Sequence, residues 1–576
     1  MHFTEELLRW KNSGLLTPAE LAEIEEVEKD PSLAEFRFGS AMEFGTGGLR
    51  STMYLGTSCM NRFTVAQATA GVAALVKEAQ GESRGVAIAY DSRNNSKLFA
   101  EVSAEVLAAG GITVYLFDGL RPTPELSFAV RQLGCLAGIN ITASHNPKEY
   151  NGYKAYWEDG AQIAPEQARV VSAAIASIDV LTGAPRMPLD EAKARGLVKM
   201  LGEDFDEIYL DAVEKTAIRR DLIREVAEDL RIVYTPLHGA GCRLVPKILG
   251  RLGIRNLFPV RAQMEPDGNF PTVKKPNPEY AEVFALGVEI AEREGSDLVI
   301  ATDPDADRVG VMSRTKDGSF ATITGNQMGA LLLDYVIKAR KEERKLPAEA
   351  YAVKSIVSTD LASAVARKNG VKLYEVFTGF KFIGEIIKQH EALGRENDFI
   401  FGFEESYGYL FGTYARDKDA VGATMMIVEM TAYYRRRGMT LSDALEELYE
   451  TYGLYKEGIL DLYMEGLDGI ERRRRLMEAF RNAPPAALGG VAVSTVCDHK
   501  KQPVRNLATG EETPSGMSAS DVLYFTLENG DIVVVRPSGT EPKVKFYFLC
   551  HGENVEELTR QIDAYRTDAN AIAQAV

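Results

Sequence analysis

Hydrophobic positions along this chain follow two rhythms. Short β-rich apolar runs stand at 85–90, 112–117, 136–142, 231–235, 256–260, 297–302, 351–357, 372–377 and 398–403. Between many of them lie alanine- and leucine-rich stretches of helical period, such as 98–109 and 281–292. Strand alternating with helix predicts mostly parallel sheets with helices on both faces. The runs cluster as three, three and three, which predicts three α/β units of similar design, although no close sequence repeat is visible. The end of the chain differs. Segment 456–481 is highly charged and reads as helix, Pro484-Pro485 breaks it, 531–535 and 544–549 read as strands, and 555–564 as a closing helix. That is a smaller α+β unit. The first 35 residues read as helical: Leu15, Leu16, Leu21 and Ile24 sit among charges, and Thr17-Pro18 gives an N-cap followed by proline at the first helical position.

The length, 576 residues, suits about four domains. A formal charge of −17 argues against nucleic acid as a partner, so any anionic ligand needs a local basic pocket. The five cysteines, Cys59, Cys135, Cys242, Cys497 and Cys550, are scattered without a CxxC pair, which fits unpaired thiols in a reducing compartment. No apolar run reaches the roughly 18 residues of a membrane span. The N-terminus mixes Glu5, Glu6 and Arg9 with Leu7 and Leu8, an amphipathic helix start and no secretory leader. A cytoplasmic protein is expected.

In open α/β sheets ligands gather at the carboxyl ends of strands, and the loops richest in chemistry fall there. Asp303, Asp305 and Asp307 alternate just after an apolar run, with Pro304 keeping the segment out of a helix. Such a loop can curl three carboxylates around one Mg²⁺, with Arg308 as a fixed positive charge beside it. An acidic surface turn is the plainer alternative. Ser144, in Thr142-Ala143-Ser144-His145-Asn146-Pro147, is placed to act as nucleophile or phosphoryl carrier. An isolated serine here would more commonly be a turn or cap, and the adjacent His145 does not by itself make a hydrolase dyad. Arg536-Pro537-Ser538-Gly539-Thr540-Glu541 combines a guanidinium, two hydroxyls and glycine-exposed amides into a phosphate cradle, and Lys543 and Lys545 add positive potential. The glycine-rich 44–50 segment, ending in Arg50, is a weaker second cradle. Glu404-Glu405-Ser406 suits a polyol. Lys154 and Lys381 are candidates for proton transfer or charge stabilisation. Tyr90-Asp91-Ser92-Arg93 and Thr235-Pro236-Leu237-His238-Gly239 lie at strand ends too, with His238 as fit to orient its loop as to act chemically.

Taken together and in this order, the loops resemble the α-D-phosphohexomutase superfamily, whose hallmarks are a Thr-Ala-Ser-His-Asn-Pro phosphoserine loop, an Asp-x-Asp-x-Asp-Arg metal loop, a Gly-Glu-Glu-Ser sugar loop and an Arg-x-Ser-Gly-Thr-Glu phosphate loop. They stand here at 142–147, 303–308, 403–406 and 536–541, with Phe403 replacing the usual glycine. The run His-Asn-Pro-Lys-Glu-Tyr-Asn-Gly-Tyr-Lys and the leading helices look most like the bacterial α-phosphoglucomutase and phosphopentomutase branches. The resemblance implies three similar α/β domains with mixed, mostly parallel sheets, plus a C-terminal α+β domain of TATA-box-binding-protein-like shape, around a central cleft. The expected divisions are 1–206, 207–314, 315–456 and 457–576. It implies that Ser144 carries a phosphoryl group, with Mg²⁺ held by that group and Asp303, Asp305 and Asp307. The phosphoryl passes to a sugar hydroxyl, a sugar 1,6-bisphosphate turns end for end, and the other phosphate returns to Ser144.

In this reading Lys154, Arg50, His145 and Arg308 serve the transfer. Thr378, Gly379, Lys381, Glu404 and Ser406 hold the sugar, and Arg536, Ser538, Gly539, Thr540 and Lys545 grip the non-reacting phosphate. The activity implied interconverts glucose 1-phosphate and glucose 6-phosphate in a monomer or homodimer that binds neither nucleic acid nor membrane. Pentose or mannose phosphates on the same fold, a phosphosugar phosphatase, or a non-enzymatic sugar-phosphate binder are the alternatives.

Overall fold

The computed structural model describes residues 2–464, 469–538 and 543–575. The nine apolar runs are nine parallel strands, and they build one topology three times. In the first unit Ala137–Ile141 lies beside Val86–Tyr90, which lies beside Val114–Phe117. In the second, Leu298–Thr302, Arg231–Thr235 and Asn256–Pro259 repeat that order. In the third, Phe399–Glu404, Tyr351–Ser355 and Lys372–Val376 do so again. The first run of each trio thus lies between the third and the second, and the third continues into an antiparallel partner. These partners are Tyr150–Trp157, Val309–Arg314 and Gly408–Leu410. The chemistry-bearing loops at Ser144, Asp303 and Glu405 are the hairpins between them. Each hairpin contains one non-glycine residue at positive φ: Ser144 (54°), Ala306 (48°) and Tyr407 (66°).

A continuous apolar core welds the three units. Phe128 of helix Thr123–Gln132 packs against Phe205 and Tyr209 of helix Glu203–Glu214, and this cluster continues to Met425, Met426 and Met430 of helix Ala420–Arg436. Buried polar contacts register the units against each other. Thr123 N–H donates to the Asp305 carbonyl (2.8 Å), Tyr156 Oη to Asp417 Oδ2 (2.8 Å) and Tyr209 Oη to Asp419 Oδ2 (2.8 Å).

The leading segment folds as three helices, His2–Lys11, Pro18–Val27 and Pro31–Phe38. Thr17 caps the second as expected: its hydroxyl accepts Glu20 N–H (3.3 Å) and Glu20 Oε2 accepts Thr17 N–H (2.8 Å). Trp10 anchors the helices edge-on against Phe38 and Phe63.

The expected helix over 456–481 requires correction. Leu454–Tyr463 is a strand, and helix begins only at Gly469, running to Asn482. The strand pairs antiparallel with Lys543–Gly552 along its whole length and forms the edge of an eight-stranded C-terminal sheet. Apolar Leu460 and Leu462 pack against the C-terminal core, so burial against the sheet outweighs the charges that suggested a helix. This unit has its own core around Phe525, Phe546 and Phe548. It meets the third unit through Val522, Val534 and Tyr547 packed on Ile356, Val357 and Phe377.

Glu457 sits at that junction. Burial, reinforced by Asp360 and opposed by a hydrogen bond with Thr359 and by Lys354, raises its carboxyl to about 7 from an ordinary 4.5. Native stability is therefore fully present below pH 4.5, declines as pH rises toward 7 and levels off above. Glu457→Gln removes the decline. We expect Tm of the variant to exceed that of the parent by a few degrees at pH 8 and to match it at pH 5, read by scanning calorimetry at both pH values.

Candidate active site

Strand Ala137–Ile141 is buried along its length and delivers the chain into the Ser144 hairpin. Thr142 Oγ1 accepts Ser144 N–H (2.8 Å), and Ser144 turns left-handed. Its hydroxyl then lies 2.9 Å from Asp303 Oδ2 and 3.1 Å from His145 Nδ1. Burial, with Arg308 and Arg50 close by, holds the His145 imidazole well below its usual range, so it is neutral at pH 7. Arg50 comes from the short strand Leu49–Thr52, paired with Tyr150–Trp157, and donates from Nη1 to Asn146 Oδ1 (2.8 Å).

The second hairpin brings the three aspartates to one point. Asp303, Asp305 and Asp307 are buried, and each offers a carboxylate oxygen within 4.8 Å of the others. Asp303 Oδ1 accepts the N–H groups of Asp307 (3.1 Å) and Arg308 (3.0 Å), which curls the loop back on its own first residue. Burial and the charges of Asp305 and Asp307 push the Asp303 carboxyl far above its usual range. Burial acts the same way on Asp305, but Lys154, Asp303 and Thr123 outweigh it and hold that carboxyl low. Asp305 Oδ1 and Asp307 Oδ1 are buried with no hydrogen-bond partner among the described residues. Three crowded buried carboxylates with unused oxygens fit a divalent cation of hard, oxygen-seeking character.

Two ammonium groups flank this cluster. Lys154 Nζ lies 3.0 Å from Asp305 Oδ2 and 3.8 Å from Asp307 Oδ2. The other, Lys418, was not evident from the sequence. Its Nζ is 3.0 Å from Asp307 and 2.8 Å from Asp417, and although burial works against its charge, Asp307, Asp417 and Glu404 hold the ammonium protonated. Lys418 joins the metal loop of the second unit to the sugar-facing loop of the third. The available signal was the charge-dense Arg416-Asp417-Lys418-Asp419 between apolar segments.

Arg308 is aimed by a second group that the sequence did not reveal. Its Nη1 donates to Glu279 Oε1 (2.7 Å), and Glu279 N–H in turn donates to Asn277 Oδ1 (3.1 Å). Burial opposes the Arg308 charge, while Glu279, Asp307 and Asp303 reinforce it. Glu279→Gln keeps the shape but weakens this hold. Turnover should fall about 10-fold, as for other groups that orient a ligand-contacting side chain, in steady-state assays at saturating metal.

The third and fourth units complete a cleft of about 350 Å³, onto which Arg50, Ser144, His145, Lys154, Asp307 and Arg308 face from one side. Thr378, Gly379 and Lys381 line it from the start of helix Phe380–Glu391, and Glu404 and Ser406 from the third hairpin. Gly379 has φ 125°, a region closed to side chains, and its N–H donates to Glu404 Oε1 (2.5 Å). Burial, opposed chiefly by Lys418, raises Glu404 to about 6. Glu405 turns one oxygen away toward Ser355 Oγ (3.0 Å). Arg536, Ser538 and Lys545 face the cleft from the C-terminal unit, Arg536 donating to Tyr547 Oη (3.1 Å). Lys543 pairs with Asp461 (2.8 Å). Gly539 and Thr540 lie outside the described residues. His238 spends both ring nitrogens on its surroundings, near the Glu265 carbonyl (3.1 Å) and Thr272 Oγ1 (2.9 Å), and so orients its loop.

One cleft thus has a hydroxyl beside a carboxylate cluster on one side, basic side chains on the other, and hydroxyl-binding groups between. Four family models match the chain: phosphoglucomutase/phosphomannomutase alpha/beta/alpha domains I, II and III at 41–181, 207–318 and 324–452, and the C-terminal domain at 500–566. Phosphoglucomutases of Staphylococcus saprophyticus and Staphylococcus aureus strain N315 are both 37% identical to it, over 92% of this chain and 94% and 93% of theirs. Among solved structures, the open form of parafusin, a Paramecium phosphoglucomutase, matches with TM-score 0.66 at 17% identity, over 93% of this chain and 96% of its own. A phosphoglucomutase/phosphomannomutase family protein of Burkholderia thailandensis matches with TM-score 0.62 at 19% identity, over 92% and 97%. At such identities the structural matches speak for the fold alone.

Proposed function

Because the chain belongs to the phosphoglucomutase/phosphomannomutase family, we propose that it is a phosphosugar mutase, an isomerase that interconverts glucose 1-phosphate and glucose 6-phosphate through phosphorylated Ser144. The observation that carries this reading is the Ser144 hydroxyl, 2.9 Å from Asp303 at the floor of a cleft whose far side bears Arg536, Ser538 and Lys545. A substrate with phosphate at one end and a reacting hydroxyl at the other spans those two poles.

Phosphoryl transfer asks for positioning and charge neutralisation more than for covalent machinery. Asp303, Asp305 and Asp307 would hold Mg²⁺ together with an oxygen on Ser144, and the ion supplies charge to the transferring phosphoryl oxygens. Arg308, fixed by Glu279, and Arg50, fixed by Asn146, add positive charge on the same side. Arg536, Ser538 and Lys545, with Gly539 and Thr540, grip the phosphate that is not reacting. Glu404 and Ser406 accept and donate to the sugar hydroxyls in either orientation, and Lys381 and Thr378 close the ring around them. The sugar hydroxyl attacks phosphorus as the bond to Ser144 Oγ breaks, and the proton released from the sugar oxygen ends on Ser144 Oγ, which leaves as the free hydroxyl. Turning the resulting 1,6-bisphosphate presents its other phosphate to Ser144. Lys154, 3.0 Å from Asp305 and 3.8 Å from Asp307, faces the same side of the cleft as Ser144 and adds its charge there.

No helix among the described residues is long and apolar enough to cross a membrane. A cytoplasmic enzyme acting on free phosphosugar, with units divided near 206, 314 and 456, completes the proposal. The test supplies glucose 1-phosphate, Mg²⁺ and a trace of glucose 1,6-bisphosphate and couples product to glucose-6-phosphate dehydrogenase. Sustained turnover is expected. No turnover by folded protein with phosphate on Ser144 would remove this activity.

A further inference from the structure

Asp91 and Arg93 follow strand Val86–Tyr90, beside the strand that carries the Ser144 hairpin. Arg93 is only 3% exposed, and its guanidinium is spent on the backbone of that hairpin. Nη2 donates to the carbonyls of Ser144 (2.6 Å) and Asn146 (2.5 Å), and Nη1 to those of Pro147 (2.9 Å) and Tyr150 (3.1 Å). The remaining nitrogen, Nε, faces Asp91 Oδ2 at 3.3 Å. Asp91 in turn accepts Arg93 N–H (2.9 Å), Ser96 Oγ (2.8 Å) and Thr142 Oγ1 (2.6 Å). Thr142 Oγ1 is the acceptor for Ser144 N–H (2.8 Å).

Two chains of contacts therefore leave Asp91 and meet again at residue 144. One runs through Thr142 to its N–H, the other through Arg93 to its C=O. Both peptide groups flanking Ser144 are held, and the residue between them sits at φ 54°. A left-handed serine persists only where its surroundings over-determine it. Here the surroundings are a planar fork that reaches four carbonyls at once, which the single point charge of a lysine cannot reproduce.

We propose that Arg93, acting with Asp91 and Thr142, is a positioning residue for phosphoryl transfer: it locks the Ser144 backbone in the conformation that aims Oγ at Asp303 and at the incoming sugar hydroxyl. The proposal rests on the reading of Ser144 as phosphoryl carrier. Loosening the lock moves the reacting oxygen but leaves the groups that grip the substrate's other end untouched. Turnover falls, and substrate binding does not.

The experiment compares Arg93→Lys and Thr142→Val with the parent in the full chain. For Arg93→Lys we expect kcat to fall about 100-fold, the cost of misplacing a reacting atom by about 1 Å. KM for glucose 1-phosphate should stay within about three-fold, as for an interaction absent from ground-state binding. Thr142→Val, which cuts only the N–H side, should cost about 10-fold in kcat. Either variant folded by circular dichroism with unchanged kcat overturns the proposal, as does a loss explained wholly by KM or by the unfolded fraction. If Arg93→Lys does not fold, Thr142→Val carries the test alone. If the parent itself does not isomerise glucose 1-phosphate, the functional reading fails instead. Crystal structures of the variants then decide: Ser144 still left-handed with Oγ about 3 Å from Asp303 overturns the lock, and its departure from that geometry supports it.

Discussion

The Ser144→Ala protein incorporates no label from glucose 1,6-bisphosphate and loses turnover by on the order of 10⁴-fold or more, the scale seen when a covalent nucleophile is removed. Folding is spared, because among the described residues the Ser144 hydroxyl hydrogen-bonds only with Asp303 and the neighbouring His145 ring, and the backbone of residue 144 keeps its contacts to Thr142 and Arg93. The measurement pairs intact-mass analysis with the coupled assay. Parent protein should carry an additional mass of about 80 Da, one phosphoryl group, that maps to Ser144. The alanine variant should lack it while showing the same Tm. Phosphate found on the variant, or on another residue of the parent, would remove Ser144 from the mechanism.

Asp305→Asn has the second largest effect. Asp305 is fully buried and holds both Lys154 (3.0 Å) and Thr123 (2.8 Å) through one oxygen. The amide keeps the volume but removes the charge that helps hold a divalent cation and balances Lys154. Turnover should fall about 10²–10³-fold, the usual cost of one preorganised electrostatic group. The Mg²⁺ concentration for half-maximal rate should rise, because a neutral amide oxygen is a poorer ligand for a hard cation than a carboxylate. A Mg²⁺ titration of the purified variant reads both. Normal turnover with an unchanged Mg²⁺ requirement would show that the three aspartates do not form the metal site. The protein should remain folded, because the Thr123–Asp305 backbone bond (2.8 Å) survives the substitution.

The parallel strands at the centre of the sheets were legible because strands such as Val86–Tyr90, Ala137–Ile141 and Leu298–Thr302 are buried on both faces, and a strand in that position is an uninterrupted apolar run. Their antiparallel partners were not. Tyr150–Trp157 carries Lys154 toward the site and buries the polar Asn151, Gly408–Leu410 is three residues long, and neither shows an alternating pattern. Charge concealed the strand Leu454–Tyr463, where Lys456, Glu457 and Asp461 sit on an edge strand whose Leu454, Leu460 and Leu462 pack against the C-terminal core. The site divides in the same way. Ser144, the aspartates, Glu404 and Arg536 belong to dense local motifs, and a motif is a property of neighbours in sequence. Lys418 and Glu279 act on groups more than a hundred and about thirty positions away, and only the assembled units bring them together. Three similar α/β units were legible from the clustering of the runs, but the shared strand order and the place of the hairpin within each unit were not, because side chains do not record either.

The backbone twist at residue 144 also limits which amino acids can stand there. Threonine offers the same alcohol oxygen and accepts phosphate elsewhere in biochemistry, so by reactivity alone the two are interchangeable. The positive φ of 54° changes that. A second branch on Cβ crowds the adjacent peptide in this region of conformational space, where β-branched residues are outliers. Reactivity would admit two residue types at this position; stereochemistry admits one.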